Sequence, residues 1–150
     1  MLPTIIIRHR KENLKKCSLR GIENREDMIF HTYPLKDGLD LTNYVLLKVD
    51  APVLDEKDNN KGILLIDSTW GYLQKILKII PENIECRSIP PKYVTAYPRK
   101  QTMCPDPKHG LASIEALYLM YLLTKRNTDG LLDNYYWKND FLKINNLPLE

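Results

Sequence analysis

The segment Leu65-Ile66-Asp67-Ser68-Thr69-Trp70 places a carboxylate, two hydroxyls and an indole in succession, behind an apolar run and ahead of a helical pattern. Main-chain N–H groups at the opening of a helix can hold a carboxylate or a ribose hydroxyl, and an indole can cover the face of an adenine. The same residue types also serve as a plain helix cap and a core aromatic, so the residues alone leave both roles open. A second feature is charge. Between residues 8 and 25, Arg8, Arg10, Lys11, Lys15, Lys16, Arg20 and Arg25 face only Glu12 and Glu23, on a chain whose net charge is only +3. Local positive density of that kind suits a polyanion, although a solvated loop can have the same composition. His9, His31, His109, Cys17 and Cys104 follow no metal-ligand spacing, and no metal is expected.

Five apolar runs rich in β-branched residues must position these groups: Thr4–Arg8, Met28–Tyr33, Tyr44–Val49, Gly62–Ile66 and Glu85–Ile89 read as strands. Gly62–Ile66 is continuously apolar, as a central strand covered on both faces would be. After it, Trp70, Leu73, Ile76, Leu77 and Ile80 recur at helical spacing, with Ser68 or Thr69 as the cap and Pro81 as the stop. Spacers of roughly a dozen residues or more between most runs suit parallel crossovers, with the stretch between Tyr33 and Tyr44 the tight one. Beyond residue 110 the pattern is helical only: Ile114, Leu117, Tyr118, Tyr121 and Leu122 mark one helix, and Leu131–Ile144 at least one more. Ile89–Gly110 contains Pro90, Pro91, Pro98, Pro105 and Pro107 and reads as an irregular bridge of the kind that carries function. The expected architecture is α/β: a mostly parallel five-stranded sheet lobe over residues 1–92, and a helical lobe over 93–150 that completes a crevice within one cooperative unit. In such sheets ligands sit beyond the carboxyl ends of the strands, which brings Ile66–Trp70 and the bridge to one crevice.

A chain of 150 residues is the size of one domain. Its longest apolar run, Ala116–Leu123, is too short to cross a bilayer, and no export signal opens the sequence, so a cytoplasmic location and no membrane partner are expected. Three cysteines without a C-x-x-C pair argue against a disulfide framework and a common zinc module.

Asp67-x-Thr69-Trp70 matches the D-x-T-W signature of the DTW-domain family, and Leu111–Leu117 resembles that family's later S/T-x-E-A helix start. Arg8-His9, Lys15-Lys16-Cys17-Ser18, Asp55–Asp58, Leu131–Trp137 and Phe141–Asn145 resemble the related ribosome-biogenesis aminocarboxypropyltransferases that act on small-subunit rRNA. The resemblance implies a SPOUT-like fold with a trefoil knot. It also implies transfer of the 3-amino-3-carboxypropyl group of S-adenosylmethionine (SAM) to a uridine-type base in structured RNA, a tRNA uridine or an rRNA pseudouridine, with methylthioadenosine released. Donor contacts, mostly main-chain or apolar, are implied at Ser18, Leu47, Ile66, Asp67, Ser68, Thr69, Trp70, Tyr93, Tyr97, Ala112, Ser113 and Ala116. The sequence has Tyr97-Pro98-Arg99-Lys100 where the rRNA enzymes carry an Asn-Pro-x-Asn-Tyr-Gly type of loop, and it lacks the cysteine-rich opening of many DTW proteins.

On that reading the enzyme chooses among three electrophilic carbons on one sulfonium by positioning. The acceptor's imide proton calls for a base or a positive field, and Asp67 is the candidate base, with holding the donor's amino group or ribose as its alternative role. Glu115 fits helix capping better. Arg8, Arg10, Lys15, Lys16, Arg99 and Lys100 are expected to bind phosphates, and Tyr97 and His9 are candidates to stack on a flipped base. A SAM-dependent RNA methyltransferase and a non-catalytic RNA-binding assembly factor are the competing functions.

Overall fold

A computed structural model describes residues 1–14, 17–98 and 110–149, with Trp70 described by its main chain alone. Among these residues the strands are β1 (Thr4–His9), β2 (Met28–Tyr33), β3 (Tyr44–Leu47), β4 (Gly62–Asp67) and β5 (Glu85–Arg87). They form one sheet in the order β2-β1-β4-β3-β5, and every neighbouring pair is parallel. β4 lies between β1 and β3, which is why it is apolar up to Asp67: Ile63 and Leu65 face one core cluster and Leu64 the other. β3 and β5 end two residues before the expected Val49 and Ile89, and pairing resumes beyond them only as a single bridge between Val53 and Ser88.

The ten residues from β2 to β3 carry the chain across β1 and β4 without a helix. An extended segment of that length reaches about 33 Å, more than the three strand spacings and one strand length it must cover. Leu39 and Leu41 of this segment are partly buried against the Ile5, Ile7, Leu64 cluster.

Helix α1 (Trp70–Leu77) covers that same face through Ile76, and Ile80, three residues past the helix end, packs with it. The other face carries α2 (Ser113–Leu123) and α3 (Lys138–Ile144). There Ile6, Val45, Ile63 and Leu65 share one cluster with Leu117, Tyr118, Phe141 and Leu142. The stripe expected on α2 is wider in the structure: Leu119 and Met120 are fully buried as well, whereas Leu122 is exposed. A helix enclosed by a sheet, a second helix and loops is apolar almost all round, so its periodicity understates its burial. No helix among the described residues is long and apolar enough to cross a membrane.

Gly62 opens β4 opposite Tyr44 on β3, and a Cβ there would lie 2.5 Å from the Tyr44 ring. The ring cannot swing aside freely, because its hydroxyl donates to the Pro3 carbonyl at 2.6 Å. Gly62→Ala is therefore expected to lower the unfolding free energy by about 1–3 kcal/mol through overpacking, read from the shift in urea midpoint at unchanged slope; an unshifted midpoint would show that the Tyr44 clamp is not rigid.

Candidate functional site

The chain leaves β1 toward β2 on one side and leaves β4 toward β5 on the other, so the carboxyl ends of β1 and β4 form the switch point of the sheet. Arg8 and Asp67 are register partners there, and both side chains project to the face that carries α2. The Asp67 carboxylate gathers three distant segments. Its Oδ1 accepts from Ser113 Oγ at 2.9 Å, and its Oδ2 accepts from Cys17 Sγ at 2.8 Å and Arg8 Nε at 3.3 Å. Ser18 Oγ accepts from the Ile114 amide at 3.1 Å, so the 17–19 loop meets the start of α2 directly through Ser18 and, through Cys17, shares the Asp67 carboxylate with Ser113.

Arg8 is buried at 8% exposure. Besides Asp67 it faces Glu23 at 3.5 Å, donates to Cys17 Sγ at 3.5 Å and lies 4.9 Å over the Phe30 ring. Burial lowers its pKa, but Cys17, Asp67 and Glu23 together leave it raised. The Arg8 guanidinium expected to meet phosphate is thus committed inside the fold, and of the other five cations expected to do so Arg10, exposed just past β1, is the one among the described residues. Lys15, Lys16, Arg99 and Lys100 lie outside the described residues. The Cys17 thiol is pushed up to about 12, first by burial and then by the Asp67 charge and hydrogen bond, so it stays a protonated donor.

A second carboxylate builds the adjoining wall. Glu115 is fully buried, and four donors converge on it: Thr95 Oγ1 at 2.6 Å, the Ala96 amide at 2.9 Å, the Ala112 amide at 2.8 Å and the Tyr135 hydroxyl at 3.0 Å. The bond to Ala112 is the half of a capping box that the sequence foretells; alanine has no side-chain acceptor to return the other half. The remaining three bonds pin the 95–97 bridge and the 135–137 segment to α2. Asn145 adds to this by bonding both the amide and the carbonyl of Val94, at 2.8 and 2.9 Å.

The structure thus bonds Ser113 to Asp67 and Ser18 to the neighbouring Ile114 amide, with Ala112 and Ala116 at the start of the same helix and Tyr93 and Tyr97 on the bridge tied to that helix. Leu47 ends β3 beside β4 and packs into the same core face. Ile66 turns to the opposite face, so only its main chain is available here. Thr69 is the N-cap of α1, but its side chain makes no capping bond; its amide instead donates to Glu12 Oε1 at 2.7 Å. Ser68 Oγ donates to the Thr69 carbonyl.

His9 stacks on Tyr72 at 3.7 Å and accepts from the Lys11 amide on Nδ1, and burial first and Arg10 second lower its pKa. Tyr97 meets Trp137 edge-on at 5.0 Å. Two surface clefts flank the 33–39 loop, one lined by Arg10, Phe30 and His31 and the other by Ile79, Ile80 and Pro81; neither includes Asp67. No group of three metal-ligating side chains occurs among the described residues.

What sequence reasoning missed is the role of Cys17, Glu115 and Tyr135 as partners in these clusters. Only the Glu115 spacing carried a local signal, because the others depend on contacts across 20 residues or more.

No protein-family model matches the chain, and no curated protein matches its sequence. Among solved structures, it is similar to the SAM-dependent rRNA:acp-transferase Tsr3 from Vulcanisaeta distributa, with a TM-score of 0.68 and 22% identity over 97% of this chain and 80% of that one. At that identity the likeness is one of fold.

The Cys17 environment sets a pH dependence. Its folded-state pKa is raised to about 12 above an unfolded value of roughly 8.5 to 9, so its contribution is complete below the unfolded value and is lost as pH climbs toward the folded one. Between about pH 8 and about pH 10 the wild-type urea midpoint is expected to fall further than that of Cys17→Ser, which does not titrate in this range. Parallel declines would show that the thiol is not held as the structure has it.

Proposed function

We propose that the chain transfers the 3-amino-3-carboxypropyl group of SAM to a uridine-type base in structured RNA and releases methylthioadenosine. What carries the reading is the convergence of Ser18, Asp67 and Ser113, residues singled out by sequence resemblance for donor contact, at the switch point of a sheet whose fold is similar to that of a SAM-dependent rRNA acp-transferase. Ribosomal RNA is the favoured acceptor over tRNA, since the structural neighbour is described as acting on rRNA. The SPOUT-like knotted path belongs to the same proposal and rests on the sequence resemblance.

The local chemistry fits a zwitterionic sulfonium donor. The Thr69 amide already holds a carboxylate, that of Glu12, at 2.7 Å, so this turn can hold the carboxylate of an amino-acid arm. Asp67 has about four lone-pair positions, three of them taken by Ser113, Cys17 and Arg8. The fourth can take the donor's ammonium or the acceptor's imide proton. With its other positions filled, Asp67 serves first to fix geometry, and geometry decides which carbon on sulfur is attacked.

A methyltransferase with the same donor would release adenosylhomocysteine instead. Incubating the protein with SAM labelled in the carboxypropyl arm and total RNA is expected to label RNA in the small-subunit rRNA band, with methylthioadenosine as the thioether product. Unlabelled RNA with adenosylhomocysteine would indicate methyl transfer, and unlabelled RNA with neither thioether would sink the enzyme reading.

A further inference from the structure

Four aromatic rings run outward from the bridge. Tyr135 is buried with its hydroxyl on Glu115. Trp137 lies half-buried among three tyrosines, 5.0 Å from Tyr97, 6.0 Å from Tyr135 and 5.0 Å from Tyr136, all edge to face. Tyr136 closes the series at 87% exposure, touching Trp137 edge to face and otherwise open to solvent. The first ring of the series is tied to the candidate site: the Tyr97 amide donates to Thr95 Oγ1, which donates to Glu115, two residues from Ser113. Trp137 thus links the exposed ring to Tyr97, whose segment is bonded to the helix that carries Ser113.

We propose that Tyr136 is a stacking platform for an unpaired RNA base next to the modified nucleotide. The inference rests on the RNA-modification reading and deepens it. A uridine-type base reacting at its imide nitrogen must leave its pairing partner and its stack, which strips one face from a flanking base. An exposed aromatic ring can replace that lost contact, and it accepts any base because every base has a π face. Neither ring first suited to this task is as open: His9 is buried and stacked on Tyr72, and Tyr97, which shares Trp137 with Tyr136, is half-buried where Tyr136 is exposed. A duplex offers no free base face and gains nothing from the ring.

Tyr136 is a surface residue, so its variants are expected to fold. The test measures the affinity of wild type, Tyr136→Phe and Tyr136→Ala for a fluorescein-labelled RNA hairpin with an unpaired uridine-containing loop and for a fully paired RNA duplex, with SAM affinity by calorimetry on the same samples. Tyr136→Ala is expected to bind the hairpin about tenfold more weakly. Tyr136→Phe should stay near wild type, and duplex and SAM affinities should be equal in all three. Hairpin binding unchanged in Tyr136→Ala, or hairpin and duplex weakened alike, overturns the platform while leaving the enzyme reading intact. Wild-type protein that binds neither SAM nor the hairpin overturns the reading itself and the platform with it.

Discussion

One carboxylate at the end of a buried strand organises this molecule's candidate site. Asp67 accepts from residues that lie 59, 50 and 46 positions away, and no two of those donors belong to the same segment. Any one of these bonds adds about 1 kcal/mol or a little more, but removing the acceptor would leave a buried guanidinium, a thiol and a hydroxyl without their shared partner. The asymmetry makes the arrangement specific. The loop over β1 and the start of α2 have one arrangement that satisfies Arg8, Cys17 and Ser113 together, and Ser18 extends the same match to the main chain of Ile114.

Glu115 repeats the logic one turn into α2. It is buried, and among the described residues four uncharged donors stand in for water. Together the two acids fix the 17–19 loop, the 94–97 bridge and the 135–137 segment to one helix end. A site made of irregular segments needs this kind of anchoring, since loops have no ladder of their own to hold a reactive geometry. The rest of the fold supplies a rigid base: a parallel sheet covered on both faces, with β4 at its centre.

Much of this frame was legible in the residues. All five strands fall on the apolar runs with β-branched residues that place them, most plainly β1 and β4, where burial on two faces leaves a compositional mark that needs no partner to be seen. α1 was legible from its stripe, although it ends at Leu77, before the Ile80 and Pro81 that the pattern reached. The enclosed nature of α2 was not, since a helix buried all round has no polar face to set its phase. The Asp67 segment stood out as a place for chemistry, but the sequence left open whether Ser68 and Thr69 cap a helix by their side chains. In the structure the Thr69 amide is taken by Glu12 from another loop. Arg8 belonged by composition to a basic surface, yet its strand register with Asp67 turns it inward. Such outcomes depend on which residues meet across the sheet, and single-chain patterns carry no record of that.

The claim that Asp67 holds the site together is tested most directly by amide hydrogen exchange in Asp67→Asn, which keeps the shape and removes an acceptor-only group. The Leu19 and Ile114 amides, which donate to Cys17 and Ser18, should exchange about tenfold faster or more than in wild type, while Val45 and Leu46 in the sheet keep their protection. Unchanged protection at Leu19 and Ile114 would contradict the account, because the loop and the helix start would then be held by something other than this carboxylate.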